Sequence, residues 1–251
     1  MDELPYSRMV ILRHGESHSN LNRVYSGWYD TDLTQKGISE SYSAAALLKE
    51  EGFKFDICYT SALKRAIRTL WITQDVLNQM HIPTVSSWRL NECHFGAFTG
   101  LNREDILNQF GEDTIEKWKS SFNFVPPPIS QESIYHPIHD KKYLSLDPAI
   151  LPNAESLEML NNRIDPFYQD EIFPSLMQGK TVLLVGHGNV MRSFIKRFEN
   201  LTGEEIMKRP VTPNGYPLVF EFDRSMNLIS SQMLGDKEKA KKSIYLSDGI
   251  L

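Results

Sequence analysis

The sequence has only two cysteines, Cys58 and Cys93, among 251 residues. Two thiols are too few for a disulfide framework, so we expect buried free thiols in a reducing, cytoplasmic compartment. Long hydrophobic runs are also missing, because a run such as Val182–Val185 is far short of the roughly 18 residues of a membrane-spanning helix. The N-terminus carries Asp2 and Glu3 where a signal peptide has basic residues. These absences predict an intracellular protein with no membrane partner.

An excess of positive charge is missing as well. The formal net charge is −5, which argues against a general nucleic-acid-binding protein and against a polybasic membrane patch. If the ligand is an anion, the cations that bind it must be gathered locally. The composition is otherwise ordinary, with 41% hydrophobic and 24% charged residues, and suits a globular chain with a well-filled core.

Short apolar runs alternate with segments of helical periodicity. Val182–Val185 and Met9–Leu12 are typical of buried strands. The alternation predicts one α/β domain over residues 1–251, in three layers, with a mostly parallel sheet and helices on both faces. Further strands are predicted over 53–59, 83–85 and 218–222, and helices over 38–48, 63–71, 103–110, 112–121, 157–172 and 189–198.

Two segments depart from this alternation. Residues 122–152 are polar and punctuated by proline, with three consecutive prolines at 126–128. We expect a loop-rich insertion there that is either a lid over a site or poorly ordered. The chain becomes rich in lysine near its end, and we expect a flexible tail over about 235–251.

Two histidines occupy the same kind of position in this pattern, because His14 and His187 each follow an apolar strand and precede a helix. Ligands of open α/β sheets bind at the carboxyl ends of the strands. The groups expected nearby are Arg13, Arg65 and the helix N-terminus at Gly188–Asn189, which are donors suited to phosphate oxygens. The predicted ligand is therefore a phosphoryl group on a small molecule.

This arrangement indicates a phosphoryl-transfer reaction. A neutral His14 imidazole can attack phosphorus, and a protonated His187 can stabilise charge on the transferring group. Glu92, in the aperiodic segment 88–96, can carry the proton to and from the substrate hydroxyl. A metal site of His14, His94 and His187 is the competing interpretation. We expect no metal, since no cysteine or carboxylate lies at zinc-like spacing and the arginines would repel a cation.

Several motifs together resemble one family, and they cover nearly the whole chain. They are Leu12-Arg13-His14-Gly15-Glu16-Ser17 with Asn20, Ser26-Gly27-Trp28-Tyr29-Asp30, Thr60–Ile67, Trp88–Glu92, Gly100-Leu101-Asn102, Gly186–Asn189 and Pro217–Asp223. The chain resembles the 2,3-bisphosphoglycerate-dependent phosphoglycerate mutases of the histidine phosphatase superfamily. The resemblance implies His14 as the phosphorylated nucleophile, His187 as the transition-state stabiliser and Glu92 as the proton carrier.

The resemblance also implies binding residues, a cofactor and an assembly. The cofactor would be 2,3-bisphosphoglycerate as a primer, without a metal, and the assembly a homodimer or homotetramer. A Lys-rich tail closes over the site in this family, and Lys237, Lys239, Lys241 and Lys242 fit that role. The implied substrate-binding residues are Arg13, Asn20, Ser26, Gly27, Arg65, Phe95, Arg103, Lys119, Gly188 and Asn189.

The chain departs from the family where the far end of a bisphosphorylated ligand would be held. The family's Arg-His-Tyr-Gly after the glutamate is here Cys93–Gly96, and its paired arginines after a tryptophan are here Lys119 and Ser120. Arg103 and Lys119 keep positive charge, whereas Ser120 and Cys93 lose it. Each lost charged hydrogen bond is worth roughly 1.5–3 kcal/mol. We therefore expect a weaker hold on the intermediate and a larger leak of the phosphoryl group to water.

Three functions follow from these observations. The resemblance favours a mutase that interconverts 3-phosphoglycerate and 2-phosphoglycerate. The losses at Cys93, Phe95 and Ser120 motivate the alternative, a phosphomonoesterase with the same phosphohistidine. A non-catalytic protein that binds a phosphoryl ligand is the third, but binding alone would not require His14, Glu92 and His187 together.

Overall fold

The computed structural model describes residues 5–235, and residues 1–4 and 236–251 lie outside that part of the chain. One sheet contains six strands: β1 Ser7–Arg13, β2 Ile57–Thr60, β3 Thr84–Ser86, β4 Thr181–Gly186, β5 Pro217–Phe222 and β6 Leu228–Met233. Their spatial order is β3-β2-β4-β1-β5-β6. The first four are parallel, whereas β5 and β6 are antiparallel to their neighbours.

Helices connect the parallel strands and cover the sheet. The helices of the described residues are α1 His18–Leu21, α2 Gln35–Glu50, α3 Lys64–Leu77, α4 Arg103–Phe110, α5 Glu112–Ser120, α6 Leu157–Phe167, α7 Phe173–Met177, α8 Gly188–Phe198 and α9 Gly203–Lys208. A single π turn, Tyr168–Ile172, joins α6 to α7. In the described part of the chain no helix is both long and apolar enough to cross a membrane.

Alternate residues of β1 enter cores on opposite faces of the sheet, because side chains alternate along a strand. Met9 and Ile11 pack in one core with residues of α6 and α8. Val10 and Leu12 pack in the other with residues of α2 and α3. All four side chains are fully buried, as expected for a parallel strand covered on both faces. The predicted three-layer α/β fold with a mostly parallel sheet is confirmed.

The structure differs from the sequence-based prediction at two strands. β6 was not predicted, because it lies at the sheet edge and mixes polar and apolar residues. The strand predicted over 53–59 is shorter, and only Ile57–Thr60 joins the sheet. Phe53 and Phe55 instead stack on each other before the strand, with ring centroids 5.7 Å apart.

The predicted insertion, residues 122–152, contains three short 3-10 turns. Its Tyr143 and Leu151 form a small buried cluster with Trp28, a residue of the main body. The Tyr143 hydroxyl also accepts a hydrogen bond from the Asn91 side chain at 2.8 Å. The segment is thus anchored by packing between residues far apart in sequence. The predicted tail begins at Gly235, the last described residue, so that prediction and its lysines lie outside the described residues.

Candidate active site

The register of the two central parallel strands brings the two predicted histidines together. Arg13 at the end of β1 lies opposite Gly186 at the end of β4. The next residues are His14 and His187, and their ring centroids are 5.1 Å apart at an interplanar angle of 60°. The backbone N–H of His14 also donates to the Gly186 carbonyl at 3.0 Å. The sheet therefore places both imidazoles at its carboxyl edge.

The surroundings of His14 leave one ring nitrogen with a lone pair. Nδ1 lies 2.7 Å from the Gly15 carbonyl, which can only accept, so Nδ1 carries the proton. Nε2 accepts a hydrogen bond from Arg65 Nε at 3.3 Å. Burial, followed by the charges of Arg65 and Arg13, lowers the pKa of His14 well below its ordinary 6.5. His14 is therefore a neutral, nucleophilic imidazole at pH 7.

Two buried arginines flank this imidazole. Arg65, in the first turn of α3, donates to the carbonyls of Gly27 at 2.8 Å and Tyr29 at 3.0 Å. Burial lowers the pKa of Arg65 to about 10, so it stays charged at pH 7. Arg13 donates to the Thr212 carbonyl at 2.9 Å, and its buried Nε has no hydrogen-bond partner among the described residues. Such a buried donor suits an anionic ligand.

His187 is fully buried at the N-cap of α8. Its Nε2 lies 2.8 Å from the Ser61 hydroxyl, and its buried Nδ1 has no hydrogen-bond partner among the described residues. Burial and the nearby charges, first of all that of Arg65, lower the pKa of His187 well below 6.5. A phosphoryl dianion beside the ring would act in the opposite direction and raise that pKa. Binding of the ligand would therefore favour the protonated His187.

Glu92 and the N-terminus of α8 meet on the other side of the imidazoles. A Cβ atom on Gly188 would lie only 2.9 Å from Cγ1 of Val211, so glycine allows the close packing of these two residues. The backbone N–H of Asn189 faces Glu92 Oε2 at 3.5 Å, and Glu92 Oε1 accepts from the Cys93 N–H at 2.8 Å. The Glu92 carboxyl group thus lies beside backbone N–H groups that favour an anion.

These groups line one pocket of about 250 Å³, called here the His14 pocket. His187 lies beside it, and the Gly27 carbonyl holds Arg65. Two predicted binding residues, Arg103 and Lys119, do not line this pocket. Arg103 is paired with Glu112 at 2.9 Å on the surface, and Lys119 lines a neighbouring cavity. The roles of all these residues stay predictions. The predicted residues that line the pocket are Arg13, His14, Asn20, Ser26, Arg65, Glu92, Phe95, Gly188 and Asn189.

Sequence reasoning missed several residues of this pocket. Lys36 lies 2.7 Å from Glu16 and 3.4 Å from Glu40, and Glu40 accepts the backbone N–H of Glu16 at 2.7 Å. Burial raises the pKa of Glu40. The side-chain amide of Asn214 donates to the His14 carbonyl. Glu16 could have been found from its place in the His14 motif, whereas nothing in the local sequence indicates that Lys36, Glu40 and Asn214 line the His14 pocket.

The alternative metal site of His14, His94 and His187 does not form within the described residues. His94 packs against Trp28, with ring centroids 5.9 Å apart, and its Nδ1 accepts the Gly96 N–H at 3.1 Å. Within residues 5–235 no three His, Cys, Asp or Glu side chains are grouped to hold a metal ion. The two buried arginines favour an anion at this place instead. That the protein uses no metal stays a prediction.

Comparison with known proteins assigns the chain to a family. Residues 9–136 and 135–232 match the sequence model of the histidine phosphatase superfamily (branch 1). The chain belongs to this family. The matched residues include both histidines, both flanking arginines and Glu92.

Solved structures with the same fold include phosphatases. A putative alpha-ribazole-5'-P phosphatase from Escherichia coli is 23% identical, with a TM-score of 0.67 over 92% of this chain and 97% of that chain. A mycobacterial glucosyl-3-phosphoglycerate phosphatase is 18% identical, with a TM-score of 0.67 over 90% and 96%. YhfR of Bacillus stearothermophilus is 22% identical, with a TM-score of 0.68 over 88% and 94%. At these identities the likeness shows the fold.

Proposed function

We propose that this protein is a phosphomonoesterase that hydrolyses a small phosphorylated substrate through a phosphohistidine at His14. The observation that best supports this function is the neutral His14 imidazole, whose Nε2 lone pair faces the buried cation of Arg65. Arg13 and His187 each add a buried nitrogen without a hydrogen-bond partner among the described residues. A nucleophile among buried donors suits transfer of a phosphoryl group.

The proposed reaction has two steps. In the first, His14 Nε2 bonds to phosphorus as the ester P–O bond breaks, and the carboxyl group of Glu92 gives its proton to the leaving oxygen. Arg13, Arg65 and the α8 N-terminus stabilise charge on the phosphoryl oxygens. In the second step, water gives a proton to Glu92 and its oxygen bonds to phosphorus. The P–N bond then breaks, which releases phosphate and a neutral His14.

The residues predicted to hold the far end of a bisphosphorylated ligand support water as the acceptor. Arg103 is paired with Glu112, and both side chains are about half exposed, at 47% and 49%. The Ser120 hydroxyl donates to a backbone carbonyl of its own helix at 2.7 Å. Cys93 Sγ lies 3.3 Å from the carbonyl of Glu155. In this arrangement these residues do not fit the second phosphoryl group of 2,3-bisphosphoglycerate, and we derive no step through it. The named phosphatases among the structural neighbours agree with hydrolysis.

The phosphoglycerate mutase is the second candidate. Lys119 favours it, because this residue lines a cavity that shares Phe95 with the His14 pocket and so supplies a cation at the far end. For this candidate the primer would be 2,3-bisphosphoglycerate and the substrates would be the two monophosphoglycerates. The homodimer or homotetramer that the resemblance implies belongs to the same proposal.

Labelled 2,3-bisphosphoglycerate separates the candidates. We expect an acid-labile phosphoprotein that loses its label mainly to inorganic phosphate during a chase with 3-phosphoglycerate. Transfer of most of the label to phosphoglycerates would favour the mutase. If this donor does not label the protein, labelled acetyl phosphate tests the nucleophile. His14→Gln should abolish labelling, whereas His18→Gln, which changes an exposed histidine four residues away, should not. Labelling that persists in His14→Gln would contradict the assigned nucleophile.

A further inference from the structure

A second cavity of about 300 Å³, called here the side cavity, adjoins the His14 pocket. The two share Phe95, Asn189 and Val211 in their linings. The two cavities therefore meet along these three residues. The combined space is much larger than a phosphoryl group needs.

Glu92 marks the direction in which the leaving group departs. Glu92 lines the His14 pocket, and the next residue, Cys93, lines the side cavity. The Cys93 N–H holds one oxygen of Glu92 at 2.8 Å, and the other lies 3.5 Å from the N–H of Asn189, which both cavities share. The group that protonates the leaving oxygen thus stands at the boundary. An alcohol that departs from it faces the side cavity.

The wall between the cavities is aromatic and tightly packed. Phe95 meets Trp118 edge to face at 5.4 Å between ring centroids, and Tyr25 packs against Phe95 at 6.0 Å and against Trp118 at 4.9 Å. Edge-to-face packing of this kind holds the rings in place before a ligand binds. Phe124 and Leu157 continue the apolar lining.

Charged side chains of the side cavity are engaged within the protein. Glu155 is buried and paired with Arg163 at 2.6 Å. Arg209 is paired with Glu199. Lys208 is exposed at the rim. Lys119 and Arg192 line the side cavity as well, so the surface that a ligand meets combines aromatic and aliphatic side chains with cations.

We propose that the side cavity binds the leaving group, and that the preferred substrates are phosphomonoesters of aromatic or otherwise apolar alcohols. The proposal rests on the proposed phosphatase function and adds a substrate class to it. An apolar group leaves water when it enters this cavity, whereas a glycerate gains no such contact.

Two phosphonates test the proposal without requiring turnover, because their C–P bonds are not hydrolysed. Benzylphosphonate carries an apolar ring, and 2-hydroxyethylphosphonate carries a small polar group. We expect calorimetry to show that the full-length protein binds benzylphosphonate at least about ten-fold more tightly than 2-hydroxyethylphosphonate. Equal affinity, or tighter binding of 2-hydroxyethylphosphonate, would overturn the proposal.

Phe124 provides the matching variant. It is half-buried, lines the side cavity and lies outside the buried core clusters of the described residues. We expect Phe124→Ala to reduce the preference for benzylphosphonate by about five-fold or more. Val125→Ala is the control, because Val125 is the next residue, is 44% exposed and lies outside the described lining. If both variants keep the full preference, the side cavity does not bind the ring.

Failure of this proposal can be told apart from failure of the proposed function. Labelling of His14 and release of phosphate test the reaction, whereas the ratio of the two phosphonate affinities tests the side cavity. If the protein is labelled at His14 but binds both phosphonates equally, the proposed function stands and the proposed substrate class is wrong. If the protein prefers benzylphosphonate but is never labelled, the side cavity binds the apolar group and the proposed phosphohistidine is wrong.

Discussion

At the scale of single residues, one hydrogen bond and burial suit His14 to the proposed role of nucleophile. The Gly15 carbonyl holds the proton on Nδ1, and burial, followed by the charges of Arg65 and Arg13, lowers the pKa of the ring and keeps it neutral. Because Nε2 already faces Arg65, the nucleophile is oriented before a substrate binds. His187 needs a comparable support, and its hydrogen bond to Ser61 supplies it.

We predict that Ser61→Ala lowers kcat more than it changes KM. Removing the hydroxyl takes away the partner of His187 Nε2, at 2.8 Å, so the imidazole is less well oriented toward the transition state. A hydrogen bond of this kind contributes about 1 kcal/mol, which corresponds to roughly five-fold in kcat. Steady-state kinetics with an aryl phosphate measures both constants. A rise in KM with kcat unchanged would contradict an orienting role for Ser61.

At the scale of elements, α6 holds the loop that carries Glu92. Arg163 of α6 donates to the carbonyls of Asn91 at 3.2 Å and Glu92 at 3.1 Å, and it is paired with the buried Glu155. Trp28 adds a hydrogen bond to the Glu92 carbonyl at 2.7 Å. The backbone of Glu92, the proposed proton carrier, is thus held by residues that are remote in sequence.

We predict that Arg163→Met lowers the free energy of unfolding by about 3–5 kcal/mol, because it leaves Glu155 buried without its cation. Arg103→Gln is the contrast. Its pair with Glu112 is about half exposed, so we expect a loss of under about 1 kcal/mol. Urea unfolding measures both. Similar losses in the two variants would show that the burial of the pair is not what matters.

The elements that local patterns did not predict are those that depend on distant partners. β6 has a mixed sequence and forms because β5 offers it an antiparallel edge. The insertion over 122–152 has no periodicity, yet Tyr143 packs against Trp28. By contrast, α4 begins with a local capping box, and the predicted bounds of α4 and α5 agree with the structure to within one residue.

At the scale of the whole molecule, burial of histidines makes stability depend on pH. His14, His94 and His187 are nearly or fully buried. Burial lowers the pKa of His94 to about 3 and holds those of His14 and His187 well below 6.5. In the unfolded chain these groups regain an ordinary pKa near 6.5. Below that pH the unfolded state therefore binds protons that the folded state does not.

We predict that the free energy of unfolding is nearly independent of these histidines above pH 7 and falls as the pH drops below 6.5. Each buried histidine contributes a slope of up to about 1.4 kcal/mol per pH unit, down to its folded pKa. Urea unfolding at pH 5.0, 5.5, 6.0 and 7.5 measures this dependence. His94→Gln should reduce the slope between pH 5 and 6 by about one histidine's share. An unchanged slope in that variant would contradict the assignment.

The sequence by itself determined the α/β class and the positions of His14 and His187 directly after two buried strands. Both follow from local signals, since buried strands are apolar runs and the reactive residues come directly after them. Only the tertiary structure decided which residues share the pocket. The β1–β4 register sets the spacing of the imidazoles, and Glu40 and Asn214 reach the His14 loop through the fold. The pairing of Arg103 with Glu112 and the aromatic cavity beside Phe95 also depend on the tertiary structure. Neighbours that are distant along the chain set the direction of these side chains.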